Sequence, residues 1–114
     1  MPSLNIPVDR LEIYLARIRE DYVKFWKPED LEKTHIQDMI TEFNQNLTYK
    51  IGNSYIKVIQ GSSVHSFIVN KTGKFPVGSI LMAASWKAPA TNFARGNILQ
   101  DDYVVRWTGA IYLK

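Results

Sequence analysis

Leu47-Thr48-Tyr49-Lys50-Ile51-Gly52-Asn53-Ser54-Tyr55-Ile56-Lys57-Val58-Ile59 decides the fold, because the hydrophobic period changes at its first residue. Up to Leu47 the apolar residues recur in steps of three and four, the period of a helix face. From Leu47 onward they alternate in twos, the period of a strand with one face buried. Thr48–Ile51 and Ser54–Ile59 flank Gly52-Asn53, a pair that predicts a two-residue primed turn between antiparallel strands.

Working back from this stretch, Val8, Leu11, Leu15, Ile18, Tyr22 and Phe25/Trp26 form one helical stripe, widened by Tyr14 and Val23. Asp9 and Glu12 stand near its start, and Lys24 and Lys27 near its end, as the helix dipole favours. Pro28 ends this helix or opens the next, and Glu29 and Asp30 are first-turn acids. A second stripe runs Leu31, His35/Ile36, Met39/Ile40, Phe43 and Leu47. Two amphipathic helices joined by a few residues predict an antiparallel hairpin.

Working forward, Gly61-Ser62 predicts a second reversal, into Val64–Val69. Asn70-Lys71-Thr72-Gly73 is turn chemistry with a glycine for positive φ. Ile80–Ala84 reads as a short buried strand, Tyr103–Trp107 as another, and Ile111–Leu113 as a last one. Helices first and hairpin-linked strands afterwards predict an α+β fold. The expectation is one domain over 1–114, its helical half (8–46) packed on one face of a four- to six-stranded, mainly antiparallel sheet (47–114). A chain of 114 residues is long enough for one core.

Charge divides along the same boundary. Residues 1–43 carry nine acids against six Lys/Arg, a balance of −3. Residues 44–100 carry no acid and six bases: Lys50, Lys57, Lys71, Lys74, Lys87 and Arg95. A field of one sign over half a chain favours anionic partners, although strands disfavour Asp and Glu on any account. There is no cysteine, which removes disulfides and thiolate metal sites and fits a reducing cytoplasm. The N-terminus lacks a signal-peptide pattern, and no apolar run approaches the roughly 18–20 residues of a membrane span. The sequons at Asn46 and Asn70 read as chance.

Catalytic constellations are sparse. His35 and His65 lie on different elements, and no carboxylate falls between Glu42 and Asp101, so no metal or cofactor is expected. Asp101-Asp102 reads as a polar turn rather than an acid/base pair. Ser85 and Lys87 would share a face if extended, but no oxyanion hole accompanies them. Lys71-Thr72-Gly73 matches only one short β-lactamase fragment and reads as a turn.

Binding is better supported. The acid-free half interleaves its cations with Tyr49, Tyr55, Phe67, Phe75, Trp86 and Phe93, the mixture that holds single-stranded nucleic acid. Tyr55 and Lys57 alternate with Ile56 and Val58, which places them together on the outer face. Phe67 and Trp107 are assigned to the core. Ala88–Asn97 reads as a loop pinned by Phe93, carrying Arg95 and Asn97. Trp86 either stacks a base or caps the core. Arg95 either meets a phosphate or pairs with Asp101 or Asp102. The candidate binding residues are Trp86, Lys87, Arg95, Asn97, Lys57, Tyr55 and His65.

Val64-His65-Ser66-Phe67, the Lys71-Thr72-Gly73 turn, Gly78-x-Ile80-Leu81, Ala84-Ser85-Trp86-Lys87-Ala88-Pro89-Ala90 and Arg95-Gly96-Asn97 occur in that order. This string resembles a group of small tailed-bacteriophage proteins without an assigned activity, with Ser79 in place of an acid. The likeness covers residues 64–97. It implies a viral accessory protein acting in the cytoplasm of an infected bacterial cell. The expected function is therefore non-catalytic binding of an anionic partner, nucleic acid first, through the basic β-face and the 85–97 loop. A host protein or a second copy is the alternative partner, met by an apolar helix surface of Tyr14, Tyr22, Phe25 and Trp26. A further alternative is an anti-defence protein that sequesters or hydrolyses small nucleotides, with Trp86 stacking a base and Lys87 and Arg95 taking phosphates.

Overall fold

The computed structural model describes residues 3–91 and 93–110. It has two helices, α1 (Val8–Phe25) and α2 (Thr34–Asn46), followed by β1 (Leu47–Ile51), β2 (Tyr55–Gln60), β3 (Ser63–Val69), β4 (Ile80–Leu81), β5 (Val105–Arg106) and β6 (Gly109–Ala110). β1 to β4 form one antiparallel sheet in chain order, and β5 and β6 a separate two-stranded ribbon. The fold is α+β, and the change from helix to strand falls at Leu47. The sequence places a strand at Ile111–Leu113, which lies outside the described residues.

α1 ends where its apolar stripe does. The chain then makes one 3-10 turn at Pro28–Asp30, closed by a Lys33–Asp30 ion pair of 2.7 Å. α2 accordingly begins at Thr34 and not at Leu31, because Leu31 and Lys33 give their N–H groups to that turn. α1 and α2 meet where the Tyr22 and Phe43 rings stack, 4.1 Å apart.

Both faces of the four-stranded sheet are covered. Ile56, Ile68 and Ile80 make one cross-strand row, buried with Val58 against Leu11, Tyr14, Leu15, Ile18 and Tyr22 of α1. On the opposite face, Phe67, Val69 and Leu81 form a second buried cluster beneath Tyr55, Val64, Phe75, Ala83 and Ala94. Phe67 is thus core, but in the cluster remote from the helices. Trp107 is half-buried against the main core.

The turns depart from expectation in instructive ways. The β1–β2 reversal is Asn53-Ser54, one residue later than predicted, with Gly52 donating its N–H to the Tyr55 carbonyl at 2.9 Å. Gly52 has no positive φ. It is required because a Cβ there would lie 2.8 Å from that carbonyl. The turn's position is set from outside by Asn70, which is fully buried. Asn70 Nδ2 donates to the carbonyls of Gly52 and Ser3, its Oδ1 accepts from Asn5 N–H, and its own N–H donates to Ser54 O at 2.8 Å. One satisfied side chain thereby clips the N-terminal lead and the first hairpin to the end of β3. Gly73 also lacks the positive φ expected of it; Gly61, Gly78 and Gly96 have it.

The Ile80–Ala84 strand shrinks to Ile80–Leu81 because the chain turns back at once. Ala90 N–H reaches Met82 O at 2.7 Å, Ala83 bridges Pro89, and Ala84 and Ser85 both donate to Ala88 O. Residues 82–90 are a tight hairpin with Ser85-Trp86-Lys87 at its tip. Beyond it, residues 95–98 run antiparallel to 78–80: Arg95 N–H donates to Ile80 O, Ile80 N–H to Gly96 O, and Ile98 N–H to Gly78 O. These bonds hold the segment in place. Phe93 does not pin it, being 52% exposed.

Candidate functional site

The outer face is ordered by the strand register. Lys50 pairs with Lys57 across β1 and β2, and Lys57 pairs with Phe67 of β3, which faces Leu81 of β4. Tyr55 lies two residues from Lys57 on the same face, beside Val69. The row therefore runs from Lys50 on the edge strand β1, through Lys57 of β2, into the buried Phe67 cluster.

The 82–90 hairpin folds back over this face. Its tip sets the Trp86 ring 4.6 Å from Lys57 Nζ, a cation–π contact between residues far apart in the chain. Trp86 remains 48% exposed, so it neither caps the core nor is lost to solvent. Lys50, Lys57 and Lys87, with Tyr55, Phe67 and the β1–β2 turn, line a shallow depression of about 310 Å³. Tyr55 also walls a neighbouring depression of about 250 Å³ lined by Lys71, Lys74, Phe75 and Thr91. No carboxylate lines either one among the described residues. Lys74 Nζ donates to Thr91 O at 2.6 Å and so ties the two loops that frame the second depression.

Four of the seven candidate residues, Tyr55, Lys57, Trp86 and Lys87, are thus brought together. Arg95 lies on the strand-like segment beside β4, its guanidinium 5.4 Å from the Phe93 ring. Asp101, one of its two suggested partners, pairs with Arg10 at 2.7 Å. Asn97 is occupied by the fold: Nδ2 donates to Val77 O and Oδ1 accepts from Leu99 N–H. The Ser85–Lys87 pair is not extended. Ser85 Oγ accepts the Lys87 backbone N–H at 3.3 Å within the turn.

His65 is on the other side of the sheet. Strict alternation would put it with Phe67 and Val69, but the β2–β3 register shifts between Val58 and Ile59. The extra residue of this β-bulge turns both His65 and Ser66 toward α1. His65 is 6% exposed, and its ring meets Tyr14 edge-on at 6.2 Å. Its Nε2 lies 2.7 Å from Arg106 O, a pure acceptor, so Nε2 carries the proton. Burial pushes its pKa below the ordinary histidine value, with the Arg106 carbonyl opposing that shift. In the neutral ring Nδ1 accepts from Ser66 Oγ at 2.8 Å, and Tyr14 donates to Ser66 Oγ at 2.6 Å. Burial pushes the Tyr14 hydroxyl well above its usual range. Ser66 is wholly buried, so this chain of hydroxyls is structural and not an exposed nucleophile.

A feature absent from the sequence reading is a larger cleft of about 540 Å³ at the end of α1, walled by Tyr22, Phe25, Trp26, Phe43, Met39 and Trp107. His65 reaches its edge. Trp107 is fixed there by its backbone N–H, which donates to Asp21 Oδ2 at 2.8 Å. Tyr14, expected on an apolar helix surface, is fully buried, whereas Phe25 is 59% exposed. The stripe of α1 was legible, but the ribbon that closes the cleft comes from residues more than 80 positions away.

Among the described residues no three potential metal ligands converge, and no helix is long and apolar enough to cross a membrane. Comparison with protein-family models, with curated proteins and with solved structures found no match.

Proposed function

We propose that this protein is a non-catalytic accessory protein that binds nucleic acid through the face of the sheet opposite α1. Lys50, Lys57 and Lys87 take phosphates around the shallow depression, with Trp86 and Tyr55 beside them. The observation that carries the reading is the direct pairing of Lys50 with Lys57 across two strands. Like charges placed opposite each other destabilise a sheet, and among the described residues no acid lines the site to offset them. A site built at a cost in stability is what an anionic partner explains. The likeness of residues 64–97 to small tailed-phage proteins adds the setting, the cytoplasm of an infected bacterium.

The pairing supplies its own test. Lys50→Gln removes the repulsion without touching the core. Thermal or urea unfolding should show stability unchanged or raised by a few tenths of a kcal/mol, roughly the low end of a cross-strand pair. Nucleic-acid affinity, read by fluorescence anisotropy, should fall severalfold in the same variant. Unchanged affinity would remove this face from the function.

The aromatic cleft favours a second reading, in which the partner is a host protein or another copy of the chain. α1 and α2, read as an antiparallel hairpin packed on the sheet, would present Phe25, Trp26 and Met39 to it. Concave, aromatic-lined surfaces of this kind seat the anchor residues of protein interfaces.

A further inference from the structure

We infer that the nucleic acid bound at this face is single-stranded, with an unstacked base laid on Trp86. The inference rests on the nucleic-acid reading above and adds the strand state to it. Three cation–aromatic pairs lie within the acid-free stretch: Lys57 with Trp86 at 4.6 Å, Arg95 with Phe93 at 5.4 Å and Lys74 with Phe75 at 5.6 Å. In each, a cationic group and a flat ring stand side by side. A single strand offers its charges and base faces with the same intimacy.

Three further observations point the same way. The rings of Trp86 and Phe93 are about half exposed, at 48% and 52%, although large aromatics are usually covered. A duplex has no use for them, because its base faces are already stacked on one another and only edges reach the grooves. Duplex readout would need an element that projects into a groove. The 82–90 hairpin is the right shape, but its tip folds back, with Trp86 over Lys57 of β2. The depressions beside it are shallow, about 310 and 250 Å³, and lie on either side of Tyr55 along the sheet. That is a track for an extended chain. Lys57 holds one side of the Trp86 ring and keeps the platform in place before a base arrives.

The test uses the full chain and three labelled probes: oligo-dT, oligo-rU and a duplex, each about 12 nucleotides or base pairs, matching the site size of small single-strand binders. Binding is measured at about 50 mM salt, where phosphate contacts are strong. The expected result is that either single strand binds at least tenfold tighter than the duplex and quenches tryptophan fluorescence. Trp86→Leu should abolish the quenching and weaken single-strand binding about tenfold, the scale of one lost base stack. Trp26→Phe should retain the quenching, because Trp26 lies in the cleft by α1. If Trp86→Leu melts early, Lys87→Gln, at the exposed hairpin tip, gives a second reading of the same strand preference. Duplex binding equal to or tighter than single-strand binding overturns the strand state and leaves the nucleic-acid reading standing. Absence of binding to all three probes overturns both.

Discussion

His65 shows how much one residue's address depends on its neighbours. By alternation it belongs on the basic face with Lys57, and a single inserted residue in β3 sends it to the opposite side. Nothing in the local pattern announces a bulge, since Val64-His65-Ser66-Phe67 alternates as well in either register. Trp86 is the converse case. Its chemistry was legible, but its partner Lys57 is 29 positions away, and only the folded hairpin brings them within 4.6 Å. A prediction follows from the buried imidazole. Its folded pKa is lowered, so the unfolded chain binds the proton more readily. The stability it contributes is present above the ordinary value of 6.5 and is lost as the pH falls from there toward the lowered folded value. Urea unfolding between about pH 5 and 7 should show stability falling with acid, by at most about 1.4 kcal/mol per pH unit from this one group. In His65→Gln that part of the slope should vanish; an unchanged slope would place the titration elsewhere.

At the level of elements, periodicity was a reliable guide wherever an element buries one continuous stripe. α1 keeps its predicted face from Leu11 to Tyr22, and β1 begins at the residue where the period changes. Periodicity failed where backbone bonds to distant residues set the geometry. The 82–90 hairpin and the 95–98 return offer no apolar alternation to read, and hydrogen bonds to Gly78, Ile80 and Met82 define them. Gly78 is the pivot of that arrangement. Its φ is +92°, and a Cβ would press on the Asn97 side chain and lie 2.9 Å from Leu99 Cγ. Gly78→Ala should therefore cost about 2 kcal/mol or more, from a strained φ and a forced contact together. Denaturant unfolding measures it. A loss below half a kcal/mol would mean that the 95–98 segment moves aside easily and does not define the edge of the site.

Across the whole molecule the charge split of the sequence acquires a direction. The acids of residues 1–43 sit on the helical half, whereas the acid-free stretch supplies the far face of the sheet and the hairpin folded over it. The sequence made the sign of that field plain and put Tyr55 and Lys57 on one outer face, but did not show which other residues join them. It took the register and the folded-back hairpin to show that Lys50, Lys57 and Lys87 share one depression, and the hydrogen bonds to show what holds His65 and Asn97. The central claim is that this face binds nucleic acid through several phosphates at once. Its most direct test is the affinity of the full chain for a single-stranded oligonucleotide across a range of salt concentrations. Three to five phosphate contacts predict a log–log slope of about −2 to −3.5, at roughly 0.7 per contact. A slope near zero, or no binding at about 50 mM salt, would contradict it.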